Sequence, residues 1–286
     1  MEDIQAADQD QARLWNGIAG DAWVEAQTLL DQMFKPFEEL LVAAAAAESA
    51  ERVLDVGCGT GATTLALARA IGTEGRCTGI DLSAQMIAAA RSRAEERENT
   101  SAQFLCADAQ LHRFEPAAFD AVVSRFGVMF FADPVRAFAN LRQAAREGAG
   151  LHMLVWRSPE ENAFMTTAER AAAPLLPEVP ARAPGAPGQF AFADAERVRR
   201  ILEDSGWNEV EIRPVDAVCS LPERDLVRFF TRLGPLGQIL PQVDDRTRER
   251  IVERVRVAFE PFVQGAEVRY SAACWRVSAR APSCDA

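Results

Sequence analysis

The stretch LDVGCGTGATT, residues 54–64, places Gly57, Gly59 and Gly61 directly after an apolar run. Such a run followed by a glycine-rich loop and a helix-forming segment predicts a strand, a tight loop and the start of a helix. Loops of this kind bring backbone N–H groups close to a ligand. Gly57, Gly59 and Ala62 also fit the spacing of a dinucleotide-binding fingerprint, so the loop alone does not identify the ligand.

Short apolar segments and helical segments alternate on both sides of this loop. The predicted strands are residues 52–57, 77–82, 102–108, 119–127 and 151–156. The predicted helices are residues 63–72, 83–97 and 133–148, with Ser83 and Asp133 as N-caps and Gly148 as a C-terminal stop. This alternation predicts an α/β fold with a doubly wound parallel sheet, whose ligands bind beyond the carboxyl ends of the strands.

The second half of the chain departs from that pattern. A proline-rich connection at 174–190 precedes a helix that begins after Asp194, and a strand at 208–218 follows. The sequence SLPE at 220–223 has the form of a capping box, which predicts a helical insertion before a last strand at 265–281. The expected organisation is an N-terminal helical lid at 1–48, a core at 49–218 and 264–282, and a helical insertion over the active site at 219–263.

The composition favours a small-molecule partner. The 286 residues are 49% hydrophobic and carry a net charge of −11, which argues against binding to nucleic acid or an anionic membrane. The acidic first residues, MEDIQAADQD, are unlike a signal peptide, and no apolar stretch is long enough to span a bilayer. The six cysteines, Cys284 among them, form no CxxC pair, so we expect reduced thiols, no metal site and a cytoplasmic location.

Three carboxylates distinguish the ligand further. Asp55 lies in the first predicted strand, and Asp81 and Asp108 lie at the ends of the second and third. Three carboxylates near a glycine loop that has no Lys or Arg would bind an anionic diphosphate poorly. A ligand with an ammonium, a sulfonium and a ribose diol suits them better.

These residues resemble the class I S-adenosylmethionine-dependent methyltransferases, within the ubiquinone/menaquinone-biosynthesis-like small-molecule group. The motifs that carry the resemblance are VLDVGCGTG, GIDLS, ADAQ and FDAVVSRFGVMFFADP, in this order, and the resemblance extends from about Trp15 to Arg280. It implies a Rossmann-like, doubly wound, seven-stranded and mostly parallel sheet with an antiparallel last strand. S-adenosylmethionine is the implied cofactor, and a small molecule is the implied methyl acceptor.

The resemblance also implies which residues hold the methionine and ribose parts of the cofactor. The glycine loop, with Cys58 as a filler side chain in it, packs against the methionine part, and Asp55 supports the loop. Asp81 binds both ribose hydroxyls, because a carboxylate can accept two hydrogen bonds in parallel.

Further implied contacts lie at the next strand ends. Leu82 and Met86 enclose the adenine, Asp108 accepts from its amino group, and Ala109 offers a backbone N–H. Ser124 lies near the methyl donor. The spacing of Met86 also suits an ordinary core face, so its role stays open between the two.

The sequence does not identify a catalytic residue. In-line methyl transfer depends mainly on how the protein positions the two reacting groups, so few side chains need a chemical role. His112 is a candidate base that we expect instead to brace its loop, and His152 is expected to be structural. Trp15, expected in a flexible stretch, is placed as a lid residue that contacts the cofactor cation or an aromatic acceptor. Phe229, Phe230 and Phe259 either pack the inserted helices together or cover the site.

Two other functions stay open at this point. A binding protein without catalysis would have the same loop, and a nicotinamide-dependent oxidoreductase is a weaker alternative because it needs a phosphate-binding loop and a separate catalytic domain. The sequence does not distinguish a monomer from a homodimer.

Overall fold

A single twisted sheet forms the centre of the computed structural model, which describes residues 2–98, 101–176 and 185–283. Its strands are β1 Arg52–Val56, β2 Arg76–Asp81, β3 Ala102–Cys106, β4 Phe119–Arg125, β5 Ala145–Trp156, β6 Asn208–Pro222, β7 Val263–Gln264 and β8 Glu267–Arg280. The strand order is β3-β2-β1-β4-β5-β8-β6, and the two-residue β7 pairs with β8.

Strands β1 to β5 are parallel, whereas β8 is antiparallel to both β5 and β6. This confirms the predicted doubly wound sheet of seven main strands with an antiparallel last strand. The order reverses between β1 and β4, which is the point where open α/β sheets bind ligands.

The helices fall into three groups. Four precede the sheet: α1 Glu2–Trp15, α2 Ile18–Glu25, α3 Gln27–Met33 and α4 Lys35–Ala47. Among those that follow, α5 Ala62–Ile71, α6 Ala84–Glu96, α7 Pro134–Ala144 and α9 Ala195–Asp204 connect strands. The remaining ones are α8 Ala163–Ala172, α10 Leu226–Arg232, α11 Gly234–Ile239 and α12 Asp245–Ala258. In the described part of the chain, no helix is long and apolar enough to cross a bilayer.

The central strands are buried on both faces because helices cover both sides of the sheet. Side chains of β1 and β4 that point to opposite faces are equally inaccessible, among them Val53 and Leu54 on β1 and Val122 and Val123 on β4. This explains why these strands are continuous apolar runs rather than alternating ones.

Local sequence signals set the starts of α6, α7 and α9. Ser83 Oγ accepts from the Met86 N–H, Asp133 Oδ1 accepts from the Arg136 N–H, and Asp194 Oδ1 accepts from the Glu196 N–H. All three residues are therefore N-caps, as predicted.

Two predicted boundaries are wrong. Helix α7 ends at Ala144, and Gly148 lies within β5, where its N–H donates to the Ala281 carbonyl at 3.0 Å. Strand β6 continues to Pro222 because Ser220 and Leu221 pair with Arg269 and Val268 of β8. Ser220 is therefore a strand residue and not a helix cap.

The proline-rich connection predicted at 174–190 lies partly outside the described residues. Helix α8, which the sequence analysis missed, ends just before this connection. Residues 177–184 of the connection lie outside the described residues, as does Cys284. The other five cysteines are free thiols.

Candidate functional site

A cavity of about 290 Å³ lies at the carboxyl edge of β1, β2 and β4. Its walls come from parts of the chain that are far apart in sequence: the strand ends, helices α1 to α3, helix α8, the inserted helices α10 and α11, and Phe259 directly after α12. One half is lined by polar groups that follow the parallel strands, and the other half is lined mainly by aromatic and aliphatic side chains. The N-terminal and inserted helices thus both contribute walls to this cavity.

The glycine loop forms one wall of the polar half. Gly57, Gly59 and Gly61 have φ angles of 67°, 54° and 83°, in the left-handed region that favours glycine. A Cβ on Gly57 would lie 2.5 Å from the Gly127 Cα, so the loop and the segment after β4 are in direct backbone contact. Gly57 and Gly59 line the cavity. Gly61 lies behind it, against the ring of Phe104.

Asp81 lies at the end of β2 and faces the cavity. Its Oδ2 accepts from the Gly59 N–H at 2.8 Å, and its Oδ1 accepts from the Ser83 N–H at 2.9 Å. Burial raises the pKa of this carboxyl group, and the two N–H donors oppose that rise. A carboxylate has about four acceptor positions, so both oxygens can still accept hydrogen bonds from a ligand diol.

The other predicted cofactor positions in the polar half also converge on the cavity. Leu82, Met86, Asp108 and Ala109 all line it. Asp108 Oδ1 accepts from the Gln110 N–H at 2.8 Å, which fixes the turn after β3. Burial raises the pKa of Asp108, and the nearby Asp8 raises it further. This half therefore fits an adenosyl group, with a carboxylate for the ribose, apolar side chains beside it and a carboxylate for an amine.

Asp55 and Ser124 lie beneath the loop and do not line the cavity. The Thr64 hydroxyl donates to Asp55 Oδ2 at 2.6 Å, and burial raises the pKa of Asp55 to about 6. Ser124 Oγ donates to the Val56 carbonyl at 2.8 Å and accepts from the Gly127 N–H at 3.2 Å. Both side chains therefore hold the loop in place from below.

Cys58 and His112 also lie outside the cavity lining. Cys58 is buried, and this burial raises the pKa of its thiol, with Asp81 and Asp55 adding to the rise. The His112 ring packs edge-on against Phe114 at 4.7 Å, and its carbonyl accepts from Asn140 Nδ2 at 2.8 Å. This arrangement agrees with a bracing role for His112.

His152, expected to be structural, is buried within β5. Its Nε2 lies 2.8 Å from Glu48 Oε1. It is thereby joined to helix α4 and lies away from the cavity.

Trp15 lies in a helix and not in the flexible stretch that the sequence predicts. It is the last residue of α1, and its ring packs edge-on against Phe130 at 4.9 Å and Trp23 at 6.0 Å. Because these neighbours come from α2 and from the segment after β4, the N-terminal helices are joined to the sheet edge. Trp15 does line the cavity.

The neighbouring Asn16 is a contact residue that sequence reasoning did not assign. Its Oδ1 accepts from the Ala84 N–H, and its Nδ2 donates to the Leu82 carbonyl. No local pattern predicts this contact, because its partners are more than sixty residues away in sequence.

The apolar half has a strained residue at its base. Phe126 has a φ of 66°, which is uncommon for a bulky residue, and its ring stacks on Trp156 at 4.6 Å with an angle of 11° between the planes. Phe34 packs against both rings. Strain of this kind occurs where a binding site over-determines the backbone.

Helix α8 and the inserted helices complete the apolar half. Phe164, Met165 and Ala168 of α8 line it, together with Phe229, Phe230 and Phe259 of the insertion. Phe164 also contacts Phe229 and Phe259, and Phe230 stacks on Phe259. These phenylalanines therefore both pack the helices together and face the cavity. The four-residue spacing of Phe164, Ala168 and Ala172 was the missed signal for α8.

No group of three or more His, Cys, Asp or Glu side chains within the described ranges could hold a metal ion.

Comparison with known proteins agrees with this geometry. A family model described as "Methyltransferase domain" matches residues 53–148. The aklanonic acid methyltransferase DauC of a Streptomyces species is 36% identical over 109 residues, which is 38% of this chain and 50% of that protein. The demethylmenaquinone methyltransferase of Renibacterium salmoninarum is 25% identical over 71% of this chain and 85% of its own.

Solved structures share the fold. The YcgJ protein of Bacillus subtilis matches with a TM-score of 0.56 at 14% identity, over 86% of this chain and 98% of its own. The [4+2]-cyclase SpnF matches with a TM-score of 0.52 at 22% identity, over 86% of this chain and 80% of its own. The motifs, the sheet order, the matched domain and the methyltransferase relatives lead to one conclusion. The chain carries a methyltransferase domain and is similar to class I S-adenosylmethionine-dependent methyltransferases of the quinone-biosynthesis-like kind.

Proposed function

We propose that this protein transfers a methyl group from S-adenosylmethionine to a small, largely apolar and planar acceptor. The observation that carries the proposal is the division of one cavity into two chemically different halves. The polar half offers groups that suit an adenosyl moiety, and the aromatic half offers flat apolar surfaces for a ring system. The two halves meet beside the glycine loop, at the carboxyl edge of the sheet.

Residues of this chain would hold the cofactor at defined points. Asp81 would accept from the ribose hydroxyls, Asp108 and the Ala109 N–H would bind the adenine edge, and Leu82 and Met86 would enclose its faces. When bound, S-adenosylmethionine supplies an electrophilic methyl group on a sulfonium sulfur. Gly57 and Gly59 allow the backbone to approach the methionine part without a side chain in between.

The protein's contribution to in-line displacement is positioning. Holding two reacting groups at near-attack distance can supply about 7–11 kcal/mol of the barrier reduction in favourable cases. Ser124 and Asp55 fix the loop from below, and the rings of Phe126 and Trp156 would orient a flat acceptor from the opposite side. The aromatic walls would also exclude water during transfer.

The names of the relatives support a small ring-containing acceptor. DauC is named for aklanonic acid, and the Renibacterium relative is named for demethylmenaquinone. A net charge of −11 and five free cysteines support a cytoplasmic small-molecule enzyme without nucleic-acid or membrane partners.

The fold alone does not establish methyl transfer, since the protein of similar fold named SpnF is a cyclase. The test supplies the purified protein with S-adenosylmethionine that carries a trideuterated methyl group, together with a metabolite extract. We expect formation of S-adenosylhomocysteine and a product that has gained the labelled methyl. Tight cofactor binding without any product would contradict catalysis and leave a binding protein.

Asp81→Ala is the matched variant for this test. It removes two charge-assisted hydrogen bonds to the ribose, each worth about 1.5–3 kcal/mol before compensation, so cofactor affinity should fall at least about tenfold. Calorimetry with S-adenosylhomocysteine measures this, and NAD serves as the ligand that should not bind. Unchanged affinity in a folded variant would refute the assignment of Asp81.

A further inference from the structure

Arg125 lines the cavity, and the function proposed above assigns no role to its positively charged guanidinium group. Arg125 is the last residue of β4, between Ser124 under the loop and Phe126 in the aromatic half. Its Nη1 atom is buried and has no hydrogen-bond partner among the described residues. A buried donor on a charged group without a partner is costly, so such groups normally have a ligand or a counter-ion.

The carboxylates around Arg125 already have partners of their own. Asp31 pairs with Arg93, and Lys35 donates to Glu38 at 2.6 Å. Asp55 accepts from the Thr64 hydroxyl. These groups affect Arg125 through space, but none is hydrogen-bonded to its Nη1 atom.

The position of the guanidinium limits what it could bind. It lies 6.0 Å from the centroid of the Phe34 ring, which packs against Phe126 and Trp156. Asp8, Asp81 and Asp108 line the polar half and follow other strands or belong to α1, and a fourth lining acid, Glu169, lies on α8 and has a contact of its own. The cavity therefore has a cationic point beside its aromatic half, separate from the carboxylates of the polar half.

We propose that Arg125 is the carboxylate-binding residue of this cavity. The inference rests on the proposed function and deepens it, because a guanidinium recognises a carboxylate through two parallel N–H bonds. Two ligands could supply that carboxylate: an acidic acceptor, or the amino-acid end of the cofactor. An acidic acceptor is already anionic at neutral pH, so its methylation needs no protein base, and His112 lies outside the cavity lining.

The first arm of the test concerns the cofactor. Calorimetry compares S-adenosylmethionine with decarboxylated S-adenosylmethionine, which lacks only the carboxylate, in the wild-type protein and in Arg125→Met. If the cofactor supplies the carboxylate, Arg125→Met weakens binding of the first ligand about tenfold or more and leaves the second unchanged. Arg125→Lys, which keeps the charge, should recover part of the loss.

The second arm concerns the acceptor. With S-adenosylhomocysteine bound, the affinity of 2-naphthoate is compared with that of 2-naphthamide, a neutral molecule of similar shape. If the acceptor supplies the carboxylate, the wild-type protein prefers naphthoate by about tenfold, Arg125→Met loses this preference, and cofactor affinity does not change.

Arg213→Met provides a control with the same change in net charge, because Arg213 is exposed and pairs with Glu211 on the surface. Unfolding curves establish that each variant is folded. The proposal is overturned if Arg125→Met changes neither the preference for carboxylated cofactor nor that for naphthoate. A wild-type protein that binds no cofactor at all would instead refute the proposed function.

Discussion

Asn16 accepts a hydrogen bond from the backbone N–H of Ala84 at 2.9 Å, across 68 residues of sequence. The same side chain donates to the Leu82 carbonyl at 3.2 Å, and Gln85 Nε2 donates to the Gly17 carbonyl at 3.3 Å. The turn between α1 and α2 is therefore fastened to the segment that immediately follows Asp81. The attachment of the N-terminal helix therefore helps to fix the geometry of the polar half.

Replacement of Asn16 by Ala should loosen this attachment. Each lost hydrogen bond is worth about 1 kcal/mol net, so the affinity for S-adenosylhomocysteine should fall about fivefold or more. The temperature of unfolding should change little because Asn16 is exposed and outside the core. Calorimetry measures the affinity, and Gln9→Ala, on the exposed part of α1, is the control. Equal affinities in Asn16→Ala and Gln9→Ala would contradict the link.

Gly57→Ala tests the close contact between the loop and the segment after β4. Any Cβ at Gly57 would meet the Gly127 Cα, which is backbone and cannot rotate away. Gly72→Ala is a matched control, since Gly72 has a φ of 75° but nothing within 4 Å of its Cβ position. We expect Gly72→Ala to lower the free energy of unfolding by about 1–2 kcal/mol, because of its backbone conformation alone.

Gly57→Ala should lower the free energy of unfolding, measured with urea, by more than Gly72→Ala does. It should also abolish cofactor binding, because the loop must move to make room for the new Cβ. Similar losses of stability in the two variants, with binding intact, would show that the loop tolerates the side chain.

The buried Asp55 predicts a dependence of stability on pH. Its pKa is raised from 3.8 in the unfolded chain to about 6 in the folded protein, so the folded state holds the proton more tightly. This contribution therefore stabilises the protein at low pH and is lost as the pH rises from about 4 to about 6. At 1.36 kcal/mol per pKa unit, the loss is at most about 3 kcal/mol.

Asp55→Asn keeps an acceptor for the Thr64 hydroxyl and removes the ionisation. We expect the variant to be more stable than the wild-type protein at pH 8, by up to about 3 kcal/mol, with little difference at pH 4. Urea unfolding at the two pH values measures the effect. A variant that is less stable at pH 8 would show that the Asp55 charge, through its attraction to Arg125, is favourable in the folded state.

Features that depend on a few neighbouring residues were predicted from the sequence. The glycine loop, the caps at Ser83 and Asp133 and the buried strands are examples, because their signals lie within one turn or one strand. Parallel alternation also predicts that Asp81 and Asp108 lie at the same edge of the sheet. The polar half of the site was therefore predictable in outline.

The errors concern pairing across long distances. Gly148 looked like the end of a helix, but residues of β5 near it pair with β8, more than 120 residues later, and this pairing overrides the local signal. The aromatic half of the cavity depends even more on contacts between residues that are far apart in sequence. Phe34, Trp156 and Phe230 belong to elements whose packing no local pattern specifies, so their meeting around one cavity could not be predicted.

Trp15 provides the final test, because its ring joins α1 to α2 and to the segment after β4. Edge-on aromatic pairs are worth about 0.5–1.5 kcal/mol beyond the area they bury, and Trp15 has two such contacts, with Trp23 and Phe130. If α1 acts as a lid, Trp15→Ala should open the cavity more often.

The rate of S-adenosylhomocysteine release should then rise about tenfold, while Trp15→Phe, which keeps a ring, should stay close to the wild-type rate. Stopped-flow displacement measures release without any acceptor, so the result does not depend on the acceptor's identity. The unfolding temperature should fall only slightly, because α1 lies at the edge of the core. Release rates that are the same in all three proteins would mean that the cofactor leaves by a path that α1 does not cover, and the lid would then be formed by the inserted helices alone.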